Sequence, residues 1–169
     1  MVHICYGSSK EIDPWLSHAK EKVSHLHFYL HDTFSGQNPS AVEIVKPDIT
    51  HISPTLFGAL VMIDDPLTEG PLPISKEVGR AQGLYGSSGQ TTFDLAMAFN
   101  LVFTSGLFNG STLAVLGRNQ ATDSTRELPI VGGTGVFRLA RGFASLKTYF
   151  INATNGDAIV EYNVSAIHY

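Results

Sequence analysis

From residue 25 onward, apolar and polar side chains alternate with a period of two, segment after segment. Leu26, Phe28 and Leu30 interleave with His25, His27, Tyr29 and His31. Further strand-like runs cover 57–63, 79–85, 93–104, 112–116, 128–131, 137–150 and 158–169. The run from 57 is expected to stop at Asp64-Asp65-Pro66, and the run from 112 at Gly117-Arg118-Asn119. Asn109-Gly110 and Asn155-Gly156 are hairpin signals, while 36–49 and 67–75 read as long loops rich in Gly and Pro. Only residues 1–24 have helical spacing, through Ile12, Trp15, Leu16, Ala19 and Val23. That segment is expected to be a short helix or an arm, and 25–169 a separate β domain.

About eight strands joined by short turns, with no helix to cover a parallel sheet, predict a meandering antiparallel fold. Several runs are apolar at adjacent positions, such as Ile159-Val160 and Leu101-Val102. Such strands are buried on both faces. They fit an eight-stranded antiparallel β-barrel with an apolar central cavity and an outer face covered by loops or another subunit. A barrel of that size holds one small ligand.

The 169 residues suit one domain. A net charge of -4 argues against binding nucleic acid, and no apolar run reaches the roughly 20 residues of a membrane span. Cys5 is the single cysteine, so an intrachain disulfide is ruled out. The start at Met1 has no basic stretch or apolar core of a leader, so the chain reads as cytosolic or as a mature chain. Three sequons, at Asn109, Asn152 and Asn163, modestly favour secretion; each also reads as an ordinary turn or strand residue.

Four stretches together resemble the plant dirigent protein family. They are Phe57-Gly58 through Asp64-Asp65-Pro66-Leu67-Thr68, Val78-Gly79-Arg80-Ala81-Gln82-Gly83-Leu84-Tyr85, Phe108-Asn109-Gly110-Ser111-Thr112-Leu113 and Val131-Gly132-Gly133-Thr134-Gly135-Val136-Phe137-Arg138-Leu139-Ala140-Arg141-Gly142. The resemblance implies an eight-stranded barrel of the allene oxide cyclase type, a homotrimer, and secretion to the apoplast with N-glycosylation. It also implies a small phenolic substrate and no metal or organic cofactor. Members either steer the coupling of phenoxy radicals made by an external oxidase or dehydrate an isoflavanol to a pterocarpan through a quinone methide. Members that form pinoresinol carry Asp directly after Gly-Gly-Thr-Gly, where this chain has Val136. The Leu-Ala-Arg-Gly stretch and the ending Val160-Glu161-Tyr162-Asn163-Val164 are more similar to the branch containing pterocarpan synthases. An isoflavanol dehydratase is therefore expected first, a template for radical coupling second and a phenolic carrier third.

Such a dehydratase needs an acid for the benzylic hydroxyl and a cation for developing phenolate charge. Alternation alone leaves Asp32 as either a surface turn residue or a barrel residue; the resemblance places it in the barrel, as the first candidate acid. Arg141 is the expected cation, with an outward ion pair as its alternative. Tyr85 shares a strand face with Ala81 and Gly83 and is a proton relay or a core tyrosine. Of Asp64 and Asp65 at most one faces inward, and Asp65 is the second candidate acid. Val136, Thr134 and Phe143 are assigned to the substrate pocket, and Arg80 to structure. His25, His27 and His31 share a face, but nothing nearby completes a metal ligand set.

Overall fold

The computed structural model describes residues 18–169. Nine strands follow one another: β1 (Lys22–Asp32), β2 (Ala41–Val45), β3 (Leu60–Thr68), β4 (Glu77–Ser87), β5 (Asp94–Phe103), β6 (Thr112–Gln120), β7 (Arg126–Thr134), β8 (Arg141–Ile151) and β9 (Ala158–His168). A short helix, α1 (Asp48–Ile52), follows β2. Each strand pairs antiparallel with the next from β3 to β9, β9 pairs with β1, and β1 closes on β3 at Tyr29↔Thr68 and Leu30↔Leu67. The result is the expected closed barrel of eight strands, with β2 as an extra strand outside on the edge of β3. The arm or helix expected over 1–24, and Cys5, fall largely outside the described residues. Lys22 to Ser24 already belong to β1.

Alternation decides what points inward. Phe28 and Leu30 on β1, Val61, Ile63 and Leu67 on β3, Phe99, Leu101 and Phe103 on β5, and Tyr162, Val164 and Ala166 on β9 are buried. They form one core with Leu128, Ile130, Ala144 and Leu146. Closure bends the strands sharply, and glycine marks where backbones meet. Gly83 lies at φ +153°, and a Cβ there would stand 2.4 Å from the carbonyl oxygen of Ala98.

Three boundaries differ from those expected, each for a local reason. The 36–49 loop contains β2. β3 runs through Asp64-Asp65-Pro66 instead of stopping there. Asp64 N–H donates to Ser40 carbonyl, and the N of Pro66 faces the same way. Beyond that bond, no strand pairs with this side of β3 until Leu67, where the register with β1 begins. A missing N–H costs nothing in that gap. β6 continues past Gly117 to Gln120, paired with β5, and glycine stands at 117 because a Cβ there would lie 2.6 Å from Pro129 of β7.

One end of the barrel is plugged. The turn Gly135–Phe137 delivers Phe137, fully buried, against Phe103, Phe108 and His168 at ring-centroid distances of 5.7, 4.8 and 5.0 Å. At the other end lie the last residues of β1, β4, β6 and β8 and the first of β5, β7 and β9, and there the barrel is hollow.

Candidate functional site

The hollow end holds a cavity of about 570 Å³, in the range of small-molecule pockets. Leu30, Val61, Ile63, Met97, Leu146 and Val160 supply much of its wall. The loop after β1 and the β8–β9 hairpin form part of its rim and are tied together. Asp157 accepts hydrogen bonds from the Phe34 and Ser35 amides at 2.8 and 3.0 Å and from Ser35 Oγ at 2.5 Å. These contacts hold the Asp157 carboxyl below its usual range.

Three expected side chains meet in this cavity. Asp32 is on the inward parity of β1, Asp65 on that of β3 and Tyr85 on that of β4, and these three strands are neighbours. Tyr85 Oη donates to Asp32 Oδ2 at 2.8 Å. Ser40 Oγ lies 2.6 Å from Asp65 Oδ1 and 3.2 Å from the His31 carbonyl oxygen, at which it can donate its one proton instead. One oxygen on each carboxyl, Asp32 Oδ1 and Asp65 Oδ2, is buried without a partner. Asp64 points outward and is bound by Arg80 Nε at 2.9 Å, which fits the structural role expected of Arg80.

Burial pushes both carboxyls above the ordinary aspartate value. Asp32 rises to about 6, restrained by the Tyr85 hydrogen bond and raised a little further by the Asp157 charge. Asp65 rises to about 8, through burial first and then the charge of Asp32. The order is physically consistent: when one carboxyl has ionised, the other must lose its proton against that charge. Near neutral pH burial and the charge of Asp32 thus favour a proton on Asp65. Burial and the neighbouring carboxylates also push the Tyr85 hydroxyl well up, so it stays a donor.

Four assignments need correction. Arg141 is not in the cavity: it is the first residue of β8, on the outer parity with Phe143, where its Nη2 donates to Glu21 at 2.5 Å. Phe143, 44% exposed, is outward for the same reason, because Gly142, Ala144 and Leu146 take the inner face. Thr134 and Val136 lie beside the Phe137 plug, at the closed end of the barrel. Thr134 is exposed and hydrogen-bonded to Thr112 Oγ1, and Val136 N–H donates to Ser111 Oγ at 3.1 Å. The three histidines do not converge on one site. His25 bonds Ser165, His27 bonds Glu161, and the buried His31 bonds Thr68.

Sequence reasoning missed two lining residues, Asn119 on β6 and Arg126 on β7. Arg126 alternates in phase with Leu128 and Ile130, and that phase was the available signal. Ending the two strands at Gly117 and Leu128 put both residues in a supposed loop. Arg126 Nη1 donates to Thr148 Oγ1 at 2.7 Å and to the Asp123 carbonyl at 3.1 Å. Burial pulls the guanidinium down from its ordinary value.

The sequence signature of the Dirigent-like protein family matches residues 23–167. Dirigent protein 21 of Arabidopsis thaliana is 51% identical over 155 residues, spanning 92% of this chain and 82% of its own. Pterocarpan synthase 1 of Glycyrrhiza echinata is 48% identical over 155 residues, spanning 91% of this chain and 82% of its own. Among solved structures, that of the pterocarpan synthase dirigent protein GePTS1 is similar with a TM-score of 0.83 at 47% identity, covering 89% of this chain and 87% of that one.

Proposed function

The chain belongs to the dirigent-like protein family, and from that premise we propose that it is an isoflavanol dehydratase that closes a pterocarpan ring. The observation that carries this reading is the pair of raised carboxyls, Asp32 and Asp65, with one proton between them inside a closed hollow. Asp65 is fully buried, so Asp32 is the carboxyl that meets substrate, and Asp65 keeps a proton on the pair at neutral pH.

The reaction balances without an external acid. The proton of the pair goes to the benzylic hydroxyl. The C–O bond breaks with its electron pair, water leaves, and the ring oxygen para to that carbon supplies electrons to give the quinone methide form. A phenol oxygen on the second ring attacks the carbon from one face. Its proton returns to the carboxylate, and the pair is reset. Tyr85 holds Asp32 Oδ2 and so fixes the carboxyl in the cavity wall. The rigid β wall fixes which face is attacked.

Secretion to the apoplast with glycans on Asn109, Asn152 and Asn163, and a homotrimer, belong to the same proposal. Exposed apolar residues on the outer face, among them Val42, Met62, Leu116 and Val131, support a covered face. The test is incubation with a racemic isoflavanol, with and without an oxidase, followed by chiral chromatography. We expect pterocarpan from one hand of substrate in the absence of oxidase, lost in Asp32→Asn. Product only with oxidase favours the radical-coupling template, and no product in either arm favours a carrier.

A further inference from the structure

Asp32 is the last residue of β1, at the open end of the barrel, and the loop that follows it is anchored to the rim. Phe34 comes two residues after Asp32 and lines the same cavity, so it carries the inward parity of β1 onto the rim. Its ring packs against the core. It also lies on the bare backbone of Gly156 in the β8–β9 hairpin, where a Cβ would stand 3.3 Å from Phe34 Cδ2. An aromatic ring therefore occupies the rim next to the acid.

Two sets of hydrogen bonds keep it there. The Thr33 carbonyl accepts from the Ser40 and Ala41 amides at 2.9 and 3.0 Å and cinches the loop at its base. At the leading edge Asp157 Oδ1 accepts from the Phe34 and Ser35 amides, while Oδ2 accepts from Ser35 Oγ and from Asn155 Nδ2. Bonds to a carboxylate are charge-assisted and stronger than neutral ones. Asp157 lies below its usual range and Asp32 is raised to about 6, so the grip is still ionised at the pH where Asp32 gains its proton. The hairpin is itself pinned, with Asn152 N–H donating to the Asp157 carbonyl and Gly156 N–H to the Asn152 carbonyl, each at 2.8 Å.

We propose that Phe34, gripped by Asp157, screens the reacting carbon from bulk water, so that the phenol of the second ring and not water takes the quinone methide. This rests on the dehydratase reading of the acid pair. The intermediate has two fates. Attack by the phenol oxygen closes the ring. Attack by water forms a new C–O bond at the same carbon, the ring oxygen takes up a proton, and isoflavanol returns. Water is the more abundant nucleophile, and a closed site is what prevents such side reactions. Phe34 is then a specificity residue that sets the product, and Asp157 is a positioning residue that acts through it.

The experiment runs turnover of racemic isoflavanol in water labelled with oxygen-18, on the full chain, and measures labelled isoflavanol formed per pterocarpan. Only bulk water brings in label. Wild type is expected to give pterocarpan and no more labelled isoflavanol than buffer without the chain. Phe34→Ala should raise the ratio by about tenfold or more, because the mouth is opened beside the acid. Asp157→Ala should raise it in the same direction. Asp157→Asn keeps an acceptor for both amides and should stay within about threefold of wild type. A purely structural role would slow turnover and leave this ratio where it is. A ratio unchanged in Phe34→Ala, or equal in Asp157→Ala and Asp157→Asn, overturns the inference. Should Phe34→Ala not fold, the two Asp157 variants decide. The two failures are distinct: wild type that makes pterocarpan while the ratio stays fixed in the variants removes this inference alone, and wild type that makes none removes the dehydratase reading and this inference with it.

Discussion

Asp65→Asn tests the electrostatics of the site at its most buried member. Asparagine has nearly the same shape, and its Oδ1 still accepts from Ser40, but it cannot ionise. The Asp65 carboxyl moves from 3.8 to about 8 on folding. A raised value means the folded chain binds this proton more tightly than the unfolded chain. The contribution to stability is then fully present below pH 3.8 and is lost as pH rises toward about 8. At about 1.4 kcal/mol per pH unit, wild type loses on the order of 4 kcal/mol between pH 4 and pH 7 through this group. Asp65→Asn does not. Its amide NH2 replaces an unpartnered oxygen and adds a penalty of about 1–3 kcal/mol, which is the same at every pH. Urea unfolding of both chains at pH 4, 6 and 8 should therefore show the variant gaining on wild type by several kcal/mol over that span. A stability difference that stays constant with pH would refute the reasoning, because Asp65 would then ionise as readily inside the barrel as outside. Turnover gives a second reading. With one carboxyl left, the high-pH limb of the rate profile should move from about 8 toward about 6, the value of Asp32.

Two other substitutions discriminate between the assigned and corrected residues. Tyr85→Phe deletes the donor to Asp32 Oδ2, a bond that lowers that carboxyl; the acid should titrate still higher, and turnover should fall by about 10- to 100-fold, read from a pH–rate profile. Arg141→Ala removes an exposed pairing with Glu21 far from the cavity, and kcat/KM should stay within about twofold of wild type.

Alternation alone left Asp32 open between surface and barrel, and the family resemblance placed it inside. For Asp64 and Asp65 the period of two said only that at most one faces inward, and Tyr85 was read from its parity with Ala81 and Gly83. Arg141 was misread because its strand begins with small residues on the inner face, Gly142 and Ala144, and small residues give no contrast with which to judge parity. Asn119 was missed because glycine usually ends a strand, and Arg126 because the next strand was started at Leu128. Gly117 is instead required within β6 by Pro129 of the next strand, a contact between residues twelve positions apart. Pro66 misled in the same way, since the unpaired side of β3 that tolerates it exists only where β2 has ended and β1 has begun.

The amino-acid sequence by itself determined the antiparallel barrel, its hairpins, and the strand face that Tyr85 shares with Ala81 and Gly83. These follow from a period of two and from local turn chemistry, which act over a few neighbouring residues. The closed ring decided everything that depends on opposite walls: which end is plugged by Phe137, which cation reaches the hollow, and that Asn119 reaches it with Arg126. It also decided the protonation of the pair. The affinity of Asp65 for its proton comes from burial and from the charge of a residue on another strand, and neither exists until the ribbon has closed.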